Sequence, residues 1–125
     1  MRFEDIYRFF EELPPTYLNV EQAVCYVLYV LLDADSYGTE LIQRLEREYL
    51  IFRVSDPVLY AALSFLEKEE FITSFWQKLA GRGRPRRMLC LNPAFQTQAR
   101  ELAQLWTTYA ASAMANCPES KDIAQ

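Results

Sequence analysis

Apolar residues recur at helical spacing in the first third of the chain, and local start and stop residues bound each run. The first run extends from Phe3 to Leu13 and is stopped by Pro14-Pro15. The second run follows Asn19, whose side chain is suited to cap a helix, and continues to Leu32. The pattern therefore predicts two helices separated by a proline turn.

Two further helices are predicted between residues 36 and 70. One opens at Ser36 or at Tyr37-Gly38, after a polar turn. The next opens at Ser55-Asp56-Pro57, which offers two caps and then a proline at the first helical position, where its missing N–H costs nothing. The inward faces of the two helices are predicted to be Leu41, Ile42, Leu45 and Tyr49 in the first, and Leu59, Ala62, Leu63 and Leu66 in the second.

Strand patterns replace helical ones after residue 70. Phe71 to Gln77 and Arg86 to Leu91 are predicted strands, joined by a loop that two glycines and a proline interrupt. A long last helix is predicted from Asn92-Pro93 to about Met114. A polar tail follows it.

The predicted element order is four helices, a strand, a loop, a strand and a long helix. A helix pair with a short connection, a further helix and a two-stranded hairpin is the order of a winged helix-turn-helix. We therefore predict a mainly α (α+β) fold with a two-stranded wing. Its expected parts are an N-terminal helix over 1–18, a winged-helix DNA-binding domain over 19–92, a C-terminal dimerisation helix over 93–116 and a flexible tail over 117–125.

Charge is distributed unevenly along the chain. The formal net charge of −4 argues against a protein that coats nucleic acid or anionic membranes indiscriminately. Clustered cations nevertheless bind a phosphate backbone by counterion release, and the predicted wing carries such a cluster. A loop kept polar only for solubility is the plain alternative. The cluster consists of Lys78, Arg82, Arg84, Arg86 and Arg87, with no acid between them.

Three sequence elements, in this order and spacing, resemble the PadR family of transcriptional regulators. Tyr37-Gly38-Thr39-Glu40-Leu41 matches the start of the family's second core helix. Leu59-Tyr60, Leu63 and Leu66-Glu67 match its third helix. Gly83-Arg84-Pro85-Arg86-Arg87 matches the tip of its wing. The resemblance spans most of Val20 to about Tyr109 and implies a dimeric DNA-binding regulator, with repression by promoter occlusion as the expected mode.

The predicted recognition helix departs from the usual pattern of base readout. Residues 57–65 include no Arg, Lys, Asn or Gln, the side chains that usually bind base edges bidentately. Affinity is therefore expected to depend on the wing, and specificity on weak major-groove contacts and on arginines in the minor groove. The candidates for contact are Ser55, Tyr60, Ala61 and Ser64, of which Tyr60 is equally well interpreted as a packing residue. Arg53 is by default a surface cation that could touch a backbone phosphate.

The last predicted helix carries a heptad-like apolar seam. Together with the aromatic first helix it supplies more apolar surface than one winged domain buries, which predicts a homodimer paired through both helices. The alternative is that this face packs only on its own core. The predicted interface residues are Phe3, Phe10, Phe95, Ala99, Leu102, Trp106, Tyr109 and Ala113.

Composition disfavours catalysis and metal binding. The chain has no histidine, which removes the commonest general base and the commonest zinc ligand. Its three cysteines form neither a CxxC pair nor a disulfide framework, which indicates a reducing, cytoplasmic compartment. The most apolar stretch, Val20 to Leu32, is too short to span a bilayer. We expect a non-enzymatic protein without cofactor, metal or membrane association, and no residue identifies a small-molecule effector.

Two functions of different classes remain open from the sequence. The first is a sequence-specific regulator whose partner is double-stranded promoter DNA. The second is a winged-helix module that binds proteins without direct DNA contact, a role that an acidic body and an uncharged recognition helix would suit. Wing arginines on the same side as the N-terminus of the recognition helix would favour DNA.

Overall fold

The computed structural model describes residues 1–11, 15–78 and 85–115. These residues form five α-helices and two small sheets, so the predicted mainly α fold with a two-stranded wing is confirmed. The helices are α1 (Phe3–Glu11), α2 (Val20–Asp33), α3 (Gly38–Glu48), α4 (Asp56–Lys68) and α5 (Gln96–Ala115), the last preceded by a 3-10 turn at Pro93–Phe95. The strands are β1 (Thr16–Tyr17), β2 (Phe52–Arg53), β3 (Ile72–Gln77) and β4 (Arg86–Leu91).

Side chains at the predicted start positions cap three of these elements. Asn19 forms a full capping box with Gln22: its side chain accepts the Gln22 N–H at 2.8 Å, and the Gln22 side chain accepts the Asn19 N–H at 2.9 Å. Ser55 accepts the N–H of Val58 at 3.4 Å, and Asn92 accepts that of Ala94 at 3.1 Å. The predicted starts of α2, α4 and the last helical segment are therefore confirmed.

Helix α2 lies at the centre of the core. It packs against both α4 and α5, and seven of its fourteen residues are buried. A helix that contacts neighbours on two sides buries a wider stripe than a surface helix, which accounts for its broad apolar face. Leu41 and Leu45 of α3 and the stripe of α4 close the core from the other side, as the pattern predicted.

The wing is an antiparallel hairpin that is tied to the helices at its base. Its register runs from Ile72 opposite Leu91 to Gln77 opposite Arg86. Ser36, fully buried just before α3, exchanges two backbone hydrogen bonds with Leu89 of β4, at 3.1 and 2.7 Å. The turn before α3 therefore acts as a short third strand on the edge of the wing.

A second, parallel pair of strands was not expected from the pattern. Thr16 lies opposite Phe52 and Tyr17 opposite Arg53, held by bonds from Thr16 N–H to Ile51 and from Leu18 N–H to Arg53, at 2.6 and 2.9 Å. Strands of two residues are too short to show a periodic pattern, and the two strands lie far apart in the chain. The local sequence therefore does not predict them. The pair fixes the chain immediately before α4.

Two features of the described ranges bear on membrane association and metal binding. Neither α5 nor any shorter helix among them is apolar over enough length to cross a membrane. The same ranges contain no group of three His, Cys, Asp or Glu side chains that could hold a metal ion.

Candidate nucleic-acid interface

Helix α4 separates into a buried stripe and an exposed face. Its buried stripe is the predicted set Leu59, Ala62, Leu63 and Leu66. On the other side Tyr60 is 58% exposed, and Ala61 and Ser64 are also exposed. These three predicted contact residues therefore share a surface that the fold leaves uncovered.

Phe65 belongs to the same face, but it was not among the predicted contact residues. It is 51% exposed and lies one helical turn after Ala61. An exposed aromatic ring is unusual in a core helix, and its spacing from the buried stripe is the feature that could have revealed it. A ring at this position suits apolar contact with a thymine methyl group.

The Ser55 hydroxyl caps α4, so a DNA contact would have to use the same group. Its Oγ accepts the Val58 N–H, so one lone pair serves the N-terminus of α4. The hydroxyl hydrogen is still able to donate to a phosphate oxygen. Asp56, the first residue of α4, is exposed next to Ser55. Its negative charge interacts favourably with the positive end of the helix dipole.

The wing cations divide into three groups. Arg82 and Arg84 lie outside the described residues. Lys78 is exposed immediately after β3. Arg86 and Arg87 open β4 and face in opposite directions, because neighbouring residues of a strand alternate between its faces.

Different helices hold these two arginines. The guanidinium carbon of Arg86 lies 4.0 Å from the ring centroid of Tyr37, the N-cap of α3, which is a cation–π contact. Arg87 forms an ion pair through Nη2 with Oε1 of Glu67 near the end of α4. The loop end of β4 is therefore held by the N-cap of α3 and by α4.

Arg53 is engaged within the protein. Its Nε lies 3.0 Å from Oε1 of Glu46, and its Nη1 donates to the carbonyls of Leu50 at 3.1 Å and Phe52 at 2.7 Å. These contacts hold the turn that leads into α4. A phosphate contact by Arg53 stays a prediction, and it would have to compete with Glu46.

The seam of α5 serves mainly the core of its own chain. Trp106 is 1% exposed, and its ring centroid lies 5.4 Å from those of Tyr26, Tyr49 and Phe52. Ala99 is fully buried as well. Assigning these two residues to a dimer interface was wrong, because α5 packs along α2 and uses its heptad-like face there.

Other predicted interface residues retain exposed surface. Tyr109 is 38% exposed and Phe3 79%, and Leu105, which the prediction left out of the interface, is 61% exposed. Phe95, Leu102 and Ala113 are partly buried against the core. The side chain of Phe10 lies outside the described residues. Ile6 and Tyr7 add further exposed apolar surface on α1.

A shallow apolar cleft separates the N-terminal half of α2 from α5. Its volume is about 230 Å³. It is lined by Glu21, Gln22, Cys25, Leu105, Trp106 and Tyr109. Burial raises the pKa of the thiol of Cys25, one of these lining residues.

The fold and the exposed face of α4 define the class of protein. A buried helix triad, an exposed helix face and a cation-bearing hairpin form a winged helix-turn-helix of the kind that binds DNA. The chain belongs to the Transcriptional regulator PadR-like family, whose sequence profile matches residues 27–101. It is therefore a DNA-binding transcriptional regulator and not an enzyme.

Solved structures include two similar chains from cyanobacteria. The circadian clock associated protein Pex from Anabaena is 57% identical, with a TM-score of 0.82 over 91% of this chain and 99% of that one. Pex from Synechococcus sp. strain PCC 7942 is 60% identical, with a TM-score of 0.83 over 87% of this chain and 97% of that one. The protein smu.1704 from Streptococcus mutans, at 22% identity and a TM-score of 0.61 over 83% and 91% of the chains, shares the fold. Comparison with curated proteins gave no match.

Proposed function

We propose that the protein is a transcriptional repressor that binds promoter DNA as a homodimer and acts by occluding the promoter. The observation that carries this proposal is the uncovered face of α4, which an ion pair connects to a cationic wing. The similarity to Pex, described as circadian clock associated, supports a role in the circadian clock. The resemblance to that protein implies the clock gene kaiA as the target.

The geometry supports a division of labour between the helix and the wing. The exposed face of α4 offers a phenol, a methyl group, a hydroxyl and a benzyl ring, from Tyr60, Ala61, Ser64 and Phe65. These groups contact bases through single hydrogen bonds and apolar surface, which discriminates weakly. The positive charge that binding requires lies in the wing, since the body of the protein is acidic.

The proposed homodimer pairs the first and last helices of two copies. PadR-like regulators are generally dimeric. In this chain Phe3, Ile6 and Tyr7 of α1 expose apolar surface. So do Leu105 and Tyr109 of α5, which line the cleft between α2 and α5. Such surface is rarely left uncovered in a monomer. A two-fold dimer would place two wings along one duplex and match a pseudo-palindromic site.

The test combines binding and transcription. Genomic fragments that the wild-type protein retains are sequenced, and the enriched promoter is transcribed in vitro with increasing protein. We expect enrichment of a discrete promoter set and a dose-dependent loss of transcript. The triple variant Arg82→Ala, Arg84→Ala and Arg86→Ala should lose both effects, whereas Arg100→Ala, which removes an exposed cation of α5, should lose neither.

Two outcomes would contradict the proposal. A bound promoter that is transcribed more strongly with protein would identify an activator. Failure to retain any fragment selectively would favour the protein-interaction module instead.

A further inference from the structure

Two consecutive cations at the loop end of β4 are held in different ways. Arg86 lies on one face of β4, and its guanidinium lies over the ring of Tyr37, the N-cap of α3. Arg87 lies on the opposite face, which it shares with buried Leu89, and pairs with Glu67 of α4. Both arginines belong to the cationic cluster, but their surroundings give them different capacities for binding phosphate.

A guanidinium stacked on a ring keeps the N–H groups at its edge available. In a stacked arginine the donors point outward in the plane of the group, so Arg86 is able to bind a phosphate while Tyr37 holds it in place. In Arg87 part of this edge is used, because Nη2 donates to the Glu67 carboxylate. A phosphate approaching Arg87 would meet a neutralised pair with a carboxylate in contact.

The ion pair between Arg87 and Glu67 connects the wing and α4, the two parts of the molecule that are proposed to bind DNA. Glu67 lies in the last turn of α4, two residues before its C-cap Glu69, and Arg87 lies one residue inside β4. Opposite Arg87 across the hairpin is Trp76, which is exposed. The ion pair therefore contacts the wing away from its buried base, near the loop end of the described hairpin.

We propose that Arg87 is a positioning residue: its ion pair with Glu67 sets the orientation of the wing relative to α4, and Arg87 makes no phosphate contact itself. This inference rests on the proposed binding of DNA by the wing and α4. Major-groove and wing contacts made together require a fixed separation, so a loosened wing should weaken selective binding more than general attraction to phosphate.

The first experiment measures binding to two duplexes of equal length, one carrying the most enriched genomic fragment and one of random sequence, over a range of salt concentrations. We expect Arg87→Gln and Glu67→Gln each to reduce the preference for the selected duplex on the order of fivefold, by misplacing contacts. The slope of log K against log salt should stay unchanged for Arg87→Gln. The double variant Glu67→Arg with Arg87→Glu should restore the preference, because the reversed pair reconnects α4 and the wing.

The control is Glu69→Gln, which removes an exposed carboxylate from the C-cap of the same helix. A phosphate contact by Arg87 would instead lower the salt slope by roughly 0.9, and the reversed pair would then bind worse, because Glu at position 87 would repel the backbone. That result would overturn the inference. Equal binding of both duplexes by the wild type would count against the proposed function instead.

A second experiment decides the inference without DNA. Amide hydrogen exchange in the free protein should accelerate at Phe75 and Gln77, whose N–H groups face β4, in Arg87→Gln and in Glu67→Gln, and should return to the wild-type rate in the reversed pair. Unchanged exchange in both single variants would show that the ion pair does not hold the wing.

Discussion

At the scale of single residues, the turn from α4 into the wing requires an unusual backbone conformation. Glu70 has φ 64°, in the left-handed region that favours glycine. The turn is held by bonds from Phe71 N–H to the Leu66 carbonyl and from Asn92 Nδ2 to the Glu70 carbonyl, both 2.9 Å. The conformation is therefore imposed by the helix end and by the start of the last helical segment.

We expect Glu70→Gly to stabilise the fold by about 0.5–1 kcal/mol, because relief of the left-handed penalty exceeds the extra entropy of glycine in the unfolded chain. The measurement is the urea midpoint at constant slope. Glu69→Gly is the matched control. Glu69 has φ −84°, so the same replacement there should destabilise the protein. A lower midpoint for Glu70→Gly would show that the Glu70 side chain stabilises the turn.

A second residue-scale prediction concerns the phenol of Tyr26. It is buried and donates to the Leu41 carbonyl at 2.7 Å, and burial raises its pKa well above the ordinary value of 10. The folded state therefore binds this proton more tightly than the unfolded state. Its contribution to stability is complete below about pH 10 and is lost as pH rises further. Tyr49 adds to the effect, since burial raises its pKa to about 12.

We expect Tyr26→Phe to lower the free energy of unfolding by about 1 kcal/mol at neutral pH, through loss of the hydrogen bond. The decline of stability between neutral and strongly alkaline pH should be shallower than in the wild type, because one group that must ionise is gone. Urea unfolding at pH 8 and 11 tests both statements. Tyr60→Phe, which removes an exposed hydroxyl from α4, is the matched control. An equal decline in Tyr26→Phe and wild type would contradict the assignment.

At the scale of elements, α5 combines two roles on different faces. Trp106 and Ala99 face α2 and the aromatic core, whereas Leu105 and Tyr109 border the open cleft. A heptad-like spacing identifies an apolar face but does not say which helix covers it. The structure assigns most of that face to the chain's own core and leaves a narrower surface for a partner.

We expect Leu105→Glu to convert the proposed dimer into a folded monomer, since this side chain is 61% exposed in the single chain and charge there opposes association. Tyr109 is left unchanged, because its ring stacks on Phe52 of the core. Sedimentation velocity measures the mass and circular dichroism the fold. Gln104→Glu adds the same charge to an exposed position of α5 as a control. A wild-type protein that sediments as a monomer at micromolar concentration would refute the dimer.

Trp106→Ala should behave differently from those surface variants. Truncating this buried ring is expected to cost about 3–5 kcal/mol of stability. The variant should therefore unfold or aggregate, and its mass would not report on the interface.

At the scale of the whole molecule, the protein is acidic and its clustered cations lie in the wing, which is proposed to bind DNA. The uncharged face of α4 and the wing arginines together predict a shallow consensus with A·T-rich positions under the wings, where a narrow minor groove concentrates negative potential. Overall charge would then limit indiscriminate binding.

We expect Arg84→Lys to keep most of the affinity but to relax the A·T preference, because an ammonium is more strongly hydrated than a guanidinium and is less suited to a narrow groove. Selection of bound sequences at matched salt, for wild type and variant, measures the preference. A sharp guanine-rich consensus that the substitution leaves unchanged would show that α4 reads bases directly.

Much of the architecture was determined by the sequence alone. Asn19, Ser55 and Asn92 start helical segments by capping their own backbone, and the stripe of α4 follows from spacing within one helix. These are local effects, in which the residues that cause a structure lie within a few positions of it. The family resemblance also depends on such local motifs and was confirmed.

Tertiary structure alone decided which surfaces remain free. The parallel pair of β1 and β2, the burial of Trp106 and the exposure of Leu105 all depend on segments far apart in the chain. The two wing arginines look equivalent in the sequence, yet Tyr37 and Glu67 reach them from different helices. The physical reason is that burial and charge pairing are set by neighbours in space, and a one-dimensional pattern records only neighbours along the chain.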